Sequence, residues 1–269
     1  MKVKAGGIET YYELSGKGTC VVLIHGLGDN LTMWYNQVPV FAEQFQVLTY
    51  DVRGHGKTEA PENDFSMKRF AGDLHNLLQA LDIEKACIIG YSMGGRIGLQ
   101  FALEHPEMTT GLVVANSWVM SPDIQLTPEQ MAAIKEQWKQ MMALLRTGEI
   151  EIIADTMAER AFSPGFKDKE PAVFQRYKEI KMRNSPTDYL QIMQGSPEDM
   201  ANPPDLKKLK CPTLIIAGEY DAITSVDIAQ SMARAINKVT IKILPTGHAS
   251  AIEAPEAFNQ AVLDFMKNL

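Results

Sequence analysis

The chain has 269 residues, 45% of them hydrophobic, and its 26 basic and 33 acidic side chains give a net charge of −7. That length holds one large domain, or a domain carrying an insertion. The acidic balance argues against a general nucleic-acid-binding surface, which is basic, and no apolar run approaches the ~20 residues that span a bilayer. The opening Met1-Lys2-Val3-Lys4-Ala5-Gly6-Gly7 has no apolar signal-peptide core. Cys20, Cys87 and Cys211 show no C-x-x-C spacing and fit buried small hydrophobes in a reducing compartment. A cytoplasmic protein is expected, with neither nucleic acid nor membrane as partner and with no metal site.

In chain order, residues 3–5 and 10–14 predict an antiparallel opening pair. Residues 19–24, 46–50, 86–89, 111–115, 212–217 and 240–244 are short apolar runs. Such runs mark parallel strands covered by helices on both faces. Helical periodicity fills the gaps: Phe70, Leu74, Leu77, Leu78 and Leu81 share one face, and Ile97, Phe101 and Ala102 another. A last helix starts near Pro255, with Phe258, Val262, Phe265 and Met266 inward. The alternation predicts an α/β class, a mostly parallel, doubly wound eight-stranded sheet flanked by helices.

The alternation stops after Ala115. Residues 117–202 read as helix throughout, punctuated by Pro186 and Pro197, with Pro203 and Pro204 following. Met131, Ile134, Trp138, Met141 and Leu145 repeat at helical spacing, with Trp138 read as core; further helices are expected over 150–161, 171–182 and 187–194. The expected organisation is a core of residues 1–116 and 203–269 with a helical cap, 117–202, inserted in it.

Gly90-Tyr91-Ser92-Met93-Gly94 lies between the run 86–89 and a helix expected over 95–104. A serine between glycines at a strand-to-helix turn is the G-x-S-x-G nucleophile elbow: the turn is too tight for side chains at its flanks, and the hydroxyl projects above the sheet edge. The hydroxyl needs a base, and the base an orienting carboxylate. His248, in the loop after the last strand, lies at the same carboxyl edge. Asp221 follows residues 212–217 at that edge, with Glu219 and Asp227 as alternatives, since one acidic residue there could serve only to cap a helix near Thr224. The backbone N–H groups of Met93 and of Leu27, in the turn His25-Gly26-Leu27-Gly28, would receive an oxyanion. His25 reads as a turn-packing histidine, and Asp51-Val52-Arg53-Gly54-His55-Gly56 as a braced scaffold loop.

Together these pieces resemble the α/β-hydrolase superfamily over nearly the full length. Met33-Trp34, Tyr50-Asp51-Val52-Arg53-Gly54-His55-Gly56, Phe162-Ser163-Pro164-Gly165-Phe166 and Ile252-Glu253-Ala254-Pro255-Glu256-Ala257-Phe258 are similar to the 3-oxoadipate enol-lactonase branch and its esterase relatives. The resemblance implies a cofactor-free serine hydrolase with a helical lid, Ser92, Asp221 and His248 as triad, and Leu27 and Met93 as oxyanion donors. The chain departs from that branch at Ala161, where the lactonases carry tryptophan, and over Gln191-Ile192-Met193-Gln194-Gly195-Ser196. The expected reaction is therefore hydrolysis of small to medium carboxylic esters, with enol-lactone hydrolysis as the alternative. Carbon–carbon bond hydrolysis of dienoic diketo acids is a further one, less favoured because Ala249 stands where an aromatic commonly follows the histidine. A serine at 92, not aspartate, speaks against dehalogenase or epoxide-hydrolase chemistry. A non-enzymatic receptor of the same fold is the reading from another class.

Eight of the fifteen methionines fall within 117–202. Most are expected to pack cap helices together, and some to offer an adaptable apolar wall. Trp118, where the chain leaves the sheet, is expected to line the pocket, as are Trp34 and Gly26. Arg160, Arg176 and Arg183 read as solvated surface.

Overall fold

The computed structural model describes residues 1–60, 65–119, 121, 124, 127–194 and 203–269; Pro197 and Gly195-Ser196, singled out above, lie outside them. Eight strands, β1 (Lys2–Ala5), β2 (Ile8–Ser15), β3 (Cys20–Ile24), β4 (Gln46–Tyr50), β5 (Ala86–Tyr91), β6 (Thr109–Ala115), β7 (Thr213–Gly218) and β8 (Val239–Leu244), form one sheet in the order β1-β2-β4-β3-β5-β6-β7-β8. β2 runs antiparallel to both β1 and β4, and every other neighbour is parallel.

Strand side chains alternate between two faces, and two apolar clusters result. On one face Val22, Ile24, Ile88, Val114 and Ile215 pack with α2 (Met67–Ala80), α3 (Met93–Glu104) and α9 (Val226–Ala235). On the other, Val21, Leu23, Ile89, Val113 and Ile216 pack with α1 (Val38–Phe41), α10 (Ser250–Glu253) and α11 (Pro255–Met266). This is the expected α/β architecture. β8 departs from expectation: it is an edge strand paired only with β7, and half its residues face solvent, with Ile243 42% exposed.

Between β6 and β7 lie α4 (Pro128–Leu145), α5 (Ile150–Ala161), α6 (Phe166–Lys169), α7 (Pro171–Lys181) and α8 (Pro186–Gln194). Thr127 and Gln130 form a reciprocal capping box at the start of α4. The apolar stripe of α4 is not the core face expected. Met131 is 42% and Trp138 46% exposed; only Met142 and Leu145 are buried, because the helix meets its neighbours at its C-terminal end. The Trp138 indole N–H donates to Met193 O at 3.1 Å. Arg176 and Arg183 are exposed, as expected. No helix of the described residues is long and apolar enough to cross a membrane.

The loop after β4 is braced by charge. Asp51 accepts from Leu31 N and Lys57 N, both at 2.8 Å. Arg53 makes a bidentate pair with Asp73 of α2, at 2.7 and 2.8 Å, with both residues buried. Replacing one partner of such a pair leaves a buried charge without its counter-ion, at a cost of about 3–5 kcal/mol. Asp73→Leu is therefore expected to lower the urea-denaturation stability by about that amount, and Asp73→Leu with Arg53→Met to recover most of it.

Candidate active site

The turn from β5 into α3 carries Ser92 at φ 52, ψ −116, a conformation that costs a non-glycine residue ~1–3 kcal/mol. Its neighbours explain how the turn closes. A Cβ at Gly90 would collide with Gly94 O, and one at Gly94 with Ile24 O. Ser92 N–H donates to Ala115 O at 2.9 Å, and the Ser117 hydroxyl donates to Ser92 O at 2.6 Å. The hydroxyl of Ser92 is thus fixed over the carboxyl edge, between β3 and β6.

The loops after β7 and β8 bring two more side chains to the same edge. Ser92 Oγ lies 3.0 Å from His248 Nε2, and His248 Nδ1 lies 2.9 Å from Asp221 Oδ2. An ionised carboxylate accepts only, so Nδ1 carries the ring proton and Nε2 is left to accept from the serine. Asp221 Oδ1 accepts from Ile223 N and Thr224 N, both at 2.8 Å. Oδ2 also accepts from Thr224 Oγ1 at 2.6 Å and Asn116 Nδ2 at 3.1 Å. Burial alone would push its pKa up; the adjacent imidazole and these donors outweigh burial and hold the carboxyl well below the usual carboxylate range. Glu219 and Asp227, the alternatives, are exposed.

Further residues support these three, and one of them, Asn116, was not singled out in the sequence. Asn116 stands at φ 46 just after β6. Its amide donates to Asp221 and, at 3.3 Å, to Gly247 O, and its oxygen accepts from Ser250 Oγ. An asparagine directly after the strand beside the elbow, able to take a left-handed φ, was the available signal. Glu253 accepts from Gly247 N at 2.8 Å and from the Ser163 N–H and hydroxyl. Ala249 N–H donates to Ala161 O at 2.7 Å. The His248 loop is thereby tied to the end of α5.

The turn after β3 faces the elbow. Among the described residues no protein group accepts from the N–H of Leu27 or Met93. His25 Nε2 accepts from Val52 N at 2.9 Å and its Nδ1 lies 2.8 Å from Gly26 O. His55 Nε2 accepts from Gly28 N at 3.1 Å. Burial depresses the pKa of both, that of His55 to about 4, so both are neutral turn-packing rings and not bases. Gly26 is buried against Asp29 and the Tyr91 ring, where a side chain would crowd both. Leu27 packs on a cluster of Leu145, Ile153 and Tyr189, with Met141, Met157 and Met193 half-buried beside it. Trp118 is half-buried at the edge of the first core cluster, one residue from Ser117. Trp34, expected at the pocket wall, is instead a core residue: it is fully buried, its ring 6.3 Å from Phe258. The 3₁₀ turn Leu31–Trp34 directs it inward, under α11.

Comparison with known proteins gives the chain relatives over nearly its whole length. The chain is 31% identical to 3-oxoadipate enol-lactonase 2 of Acinetobacter baylyi, with 92% of this chain and 88% of the relative covered. It is 30% identical to 2-hydroxy-6-oxo-6-(2'-aminophenyl)hexa-2,4-dienoic acid hydrolase of Metapseudomonas resinovorans, covering 98% and 89%. The crystal structure of the enol-lactonase from Burkholderia xenovorans LB400 superposes with a TM-score of 0.87 at 27% identity, over 99% of this chain and 100% of that one. A thermophilic esterase from Thermogutta terrifontis does so at 0.83 and 27%, over 100% and 98%. The family model for the alpha/beta hydrolase fold matches residues 19–255; with the sheet order and the elbow already described, the chain belongs to the alpha/beta hydrolase family.

Proposed function

We propose that the protein is a serine hydrolase that cleaves carboxylic esters of small to medium size through an acyl-enzyme. The observation that carries this reading is the continuous hydrogen-bonded chain from Ser92 Oγ through His248 to Asp221. His248 Nε2 takes the serine proton as Oγ adds to the ester carbonyl. The carbonyl oxygen becomes negative and accepts from Leu27 N–H and Met93 N–H, the second at the positive end of α3. Collapse expels the alcohol, which leaves with the proton from His248. Water then repeats the two steps and releases the acid. Asp221 holds the imidazole in the tautomer that accepts from serine and stabilises the imidazolium.

Residues 117–202 are read as a cap that selects substrate. Leu145, Ile153 and Tyr189 of this segment pack with Leu27 in one apolar cluster, which supports an apolar acyl or alkyl group beside the reacting centre. Thioethers at Met141, Met157 and Met193 let that wall adapt. Enol-lactone hydrolysis, the activity named for the Acinetobacter and Burkholderia relatives, needs the same attack on a cyclic ester and is the second reading.

Three outcomes are expected. Ser92→Ala is expected to abolish hydrolysis of p-nitrophenyl esters, by ~10⁶ in kcat as for a serine protease, and Asp221→Asn to lower it by ~10⁴ without unfolding the protein. An Asp221→Asn variant near wild-type rate, with Asp227→Asn or Glu219→Gln inactive, would reassign the acid. For pH, the Asp221 carboxyl is held well below the usual carboxylate range, so it is expected to stay ionised throughout that range; a kcat/KM profile that needs the ionisation of Asp221 at an ordinary carboxylate pKa would contradict the assignment. Trp118→Ala enlarges the wall, and at about 0.8 kcal/mol per buried methylene it is expected to shift kcat/KM several-fold towards longer acyl chains. Parallel chain-length profiles would remove Trp118 from the pocket.

A further inference from the structure

The turn that carries Leu27 is held by groups that the chemistry above does not use. Asp29 N–H donates to Gly26 O at 3.1 Å and closes a four-residue turn, with Gly28 at φ 70. A left-handed third residue is what a type II turn requires, and a Cβ there would collide with the Tyr189 ring. The next peptide is fixed at both ends: Leu27 O accepts from Lys181 Nζ at 3.0 Å, and Gly28 N–H donates to His55 Nε2 at 3.1 Å. Gly28 O accepts from Asn184 Nδ2 at 2.9 Å and from Tyr189 Oη.

Lys181 holds this turn twice. Besides Leu27 O, its ammonium reaches Asp29 Oδ1 at 2.8 Å, the two side chains being 3% and 0% exposed. Asp29 in turn supplies the N–H that closes the turn on Gly26 O. Burial lowers a lysine's pKa, but the Asp29 carboxylate outweighs it and holds the Lys181 ammonium above the ordinary lysine value. Desolvating two charges consumes most of what their attraction returns, so such a pair contributes little net stability compared with apolar packing. What it supplies is a fixed geometry, delivered from the end of α7 to the turn opposite Ser92.

We propose that Lys181 is a positioning residue for the oxyanion site: by gripping Leu27 O and Asp29 it holds the Gly26–Asp29 turn so that the Leu27 N–H meets the oxygen that becomes negative. The proposal rests on the serine-hydrolase reading above. It makes the helical segment part of the catalytic geometry as well as of substrate choice. Oxyanion donors act because they are oriented in advance, so a loosened turn weakens the tetrahedral stage and leaves ground-state binding alone.

The test uses a trifluoromethyl ketone, which adds Ser92 Oγ to its carbonyl and leaves a negative oxygen in the oxyanion site, beside the matched methyl ketone, which binds without adding. Lys181→Met is expected to weaken the trifluoromethyl ketone and lower kcat for a p-nitrophenyl ester by at least about tenfold, with KM and methyl-ketone binding within about twofold. Lys181→Met leaves Asp29 unpaired; if it fails to fold, Lys181→Met with Asp29→Asn strands no charge and is read the same way. Lys178→Met, one turn away and paired with Asp155, is the control and keeps wild-type values. Wild-type behaviour of the Lys181 variants, or equal weakening of both ketones, would overturn the proposal. A wild-type protein that neither hydrolyses the ester nor forms a Ser92-dependent adduct would overturn the hydrolase reading itself, and the positioning role with it.

Discussion

The backbone strain at Ser92 is the constraint around which the rest of the site is organised. A residue with a side chain stands at φ 52 because the chain must leave β5 and enter α3 within one step. The surroundings tolerate no other arrangement: Gly94 lies against the Ile24 carbonyl of β3, and Gly95 against Ser117 just after β6. Two strands flanking β5 therefore press on the turn, while Ala115 O and the Ser117 hydroxyl occupy its polar groups. The sheet core behind it is fully buried on both faces, which is what allows a strained conformation to persist.

Because the strands are parallel, their carboxyl ends arrive at one edge, and the remaining site residues are delivered by loops from that edge. Each such loop is fastened by a buried or half-buried polar group. Asn116 links the β6 end to Asp221 and to the His248 loop. Glu253 links Gly247 to Ser163. Lys181, Asn184 and Tyr189 hold the turn after β3. Two of these three ties reach into the helical segment, at the end of α5 and the end of α7. A segment that could have been an independent lid is thus joined to both the His248 loop and the turn after β3.

The fold was legible where one principle dominates. Apolar runs of four to six residues announced β3, β5, β6 and β7, because strands buried on both faces have no polar alternation to confuse them. β8 read the same way and proved an edge strand, since Thr240, Ile241, Lys242 and Ile243 follow a half-exposed pattern that a short apolar window hides. Ser92, His248 and Asp221 could be singled out because each follows a strand or opens a helix, and the structure brings the three into one hydrogen-bonded chain. Trp138 misled because helical periodicity reports a face, not whether anything covers it. Trp34 misled because adjacency to the turn after β3 in sequence says nothing of direction. Lys181 and Asn116 were invisible for a different reason: their partners lie 154 and 105 residues away along the chain. Long-range polar contacts leave no periodic trace in a single sequence.

The central claim is that Ser92 forms a covalent acyl intermediate within the hydrogen-bonded chain to Asp221. Its most direct test is rapid acid quench of the protein mixed with an excess of p-nitrophenyl acetate, followed by intact-mass and peptide mass spectrometry. The account predicts a single added acetyl group, located on the peptide and side chain of Ser92 and absent from Ser92→Ala. An acetyl group at another residue, or turnover of the ester by Ser92→Ala at the wild-type rate, would contradict it.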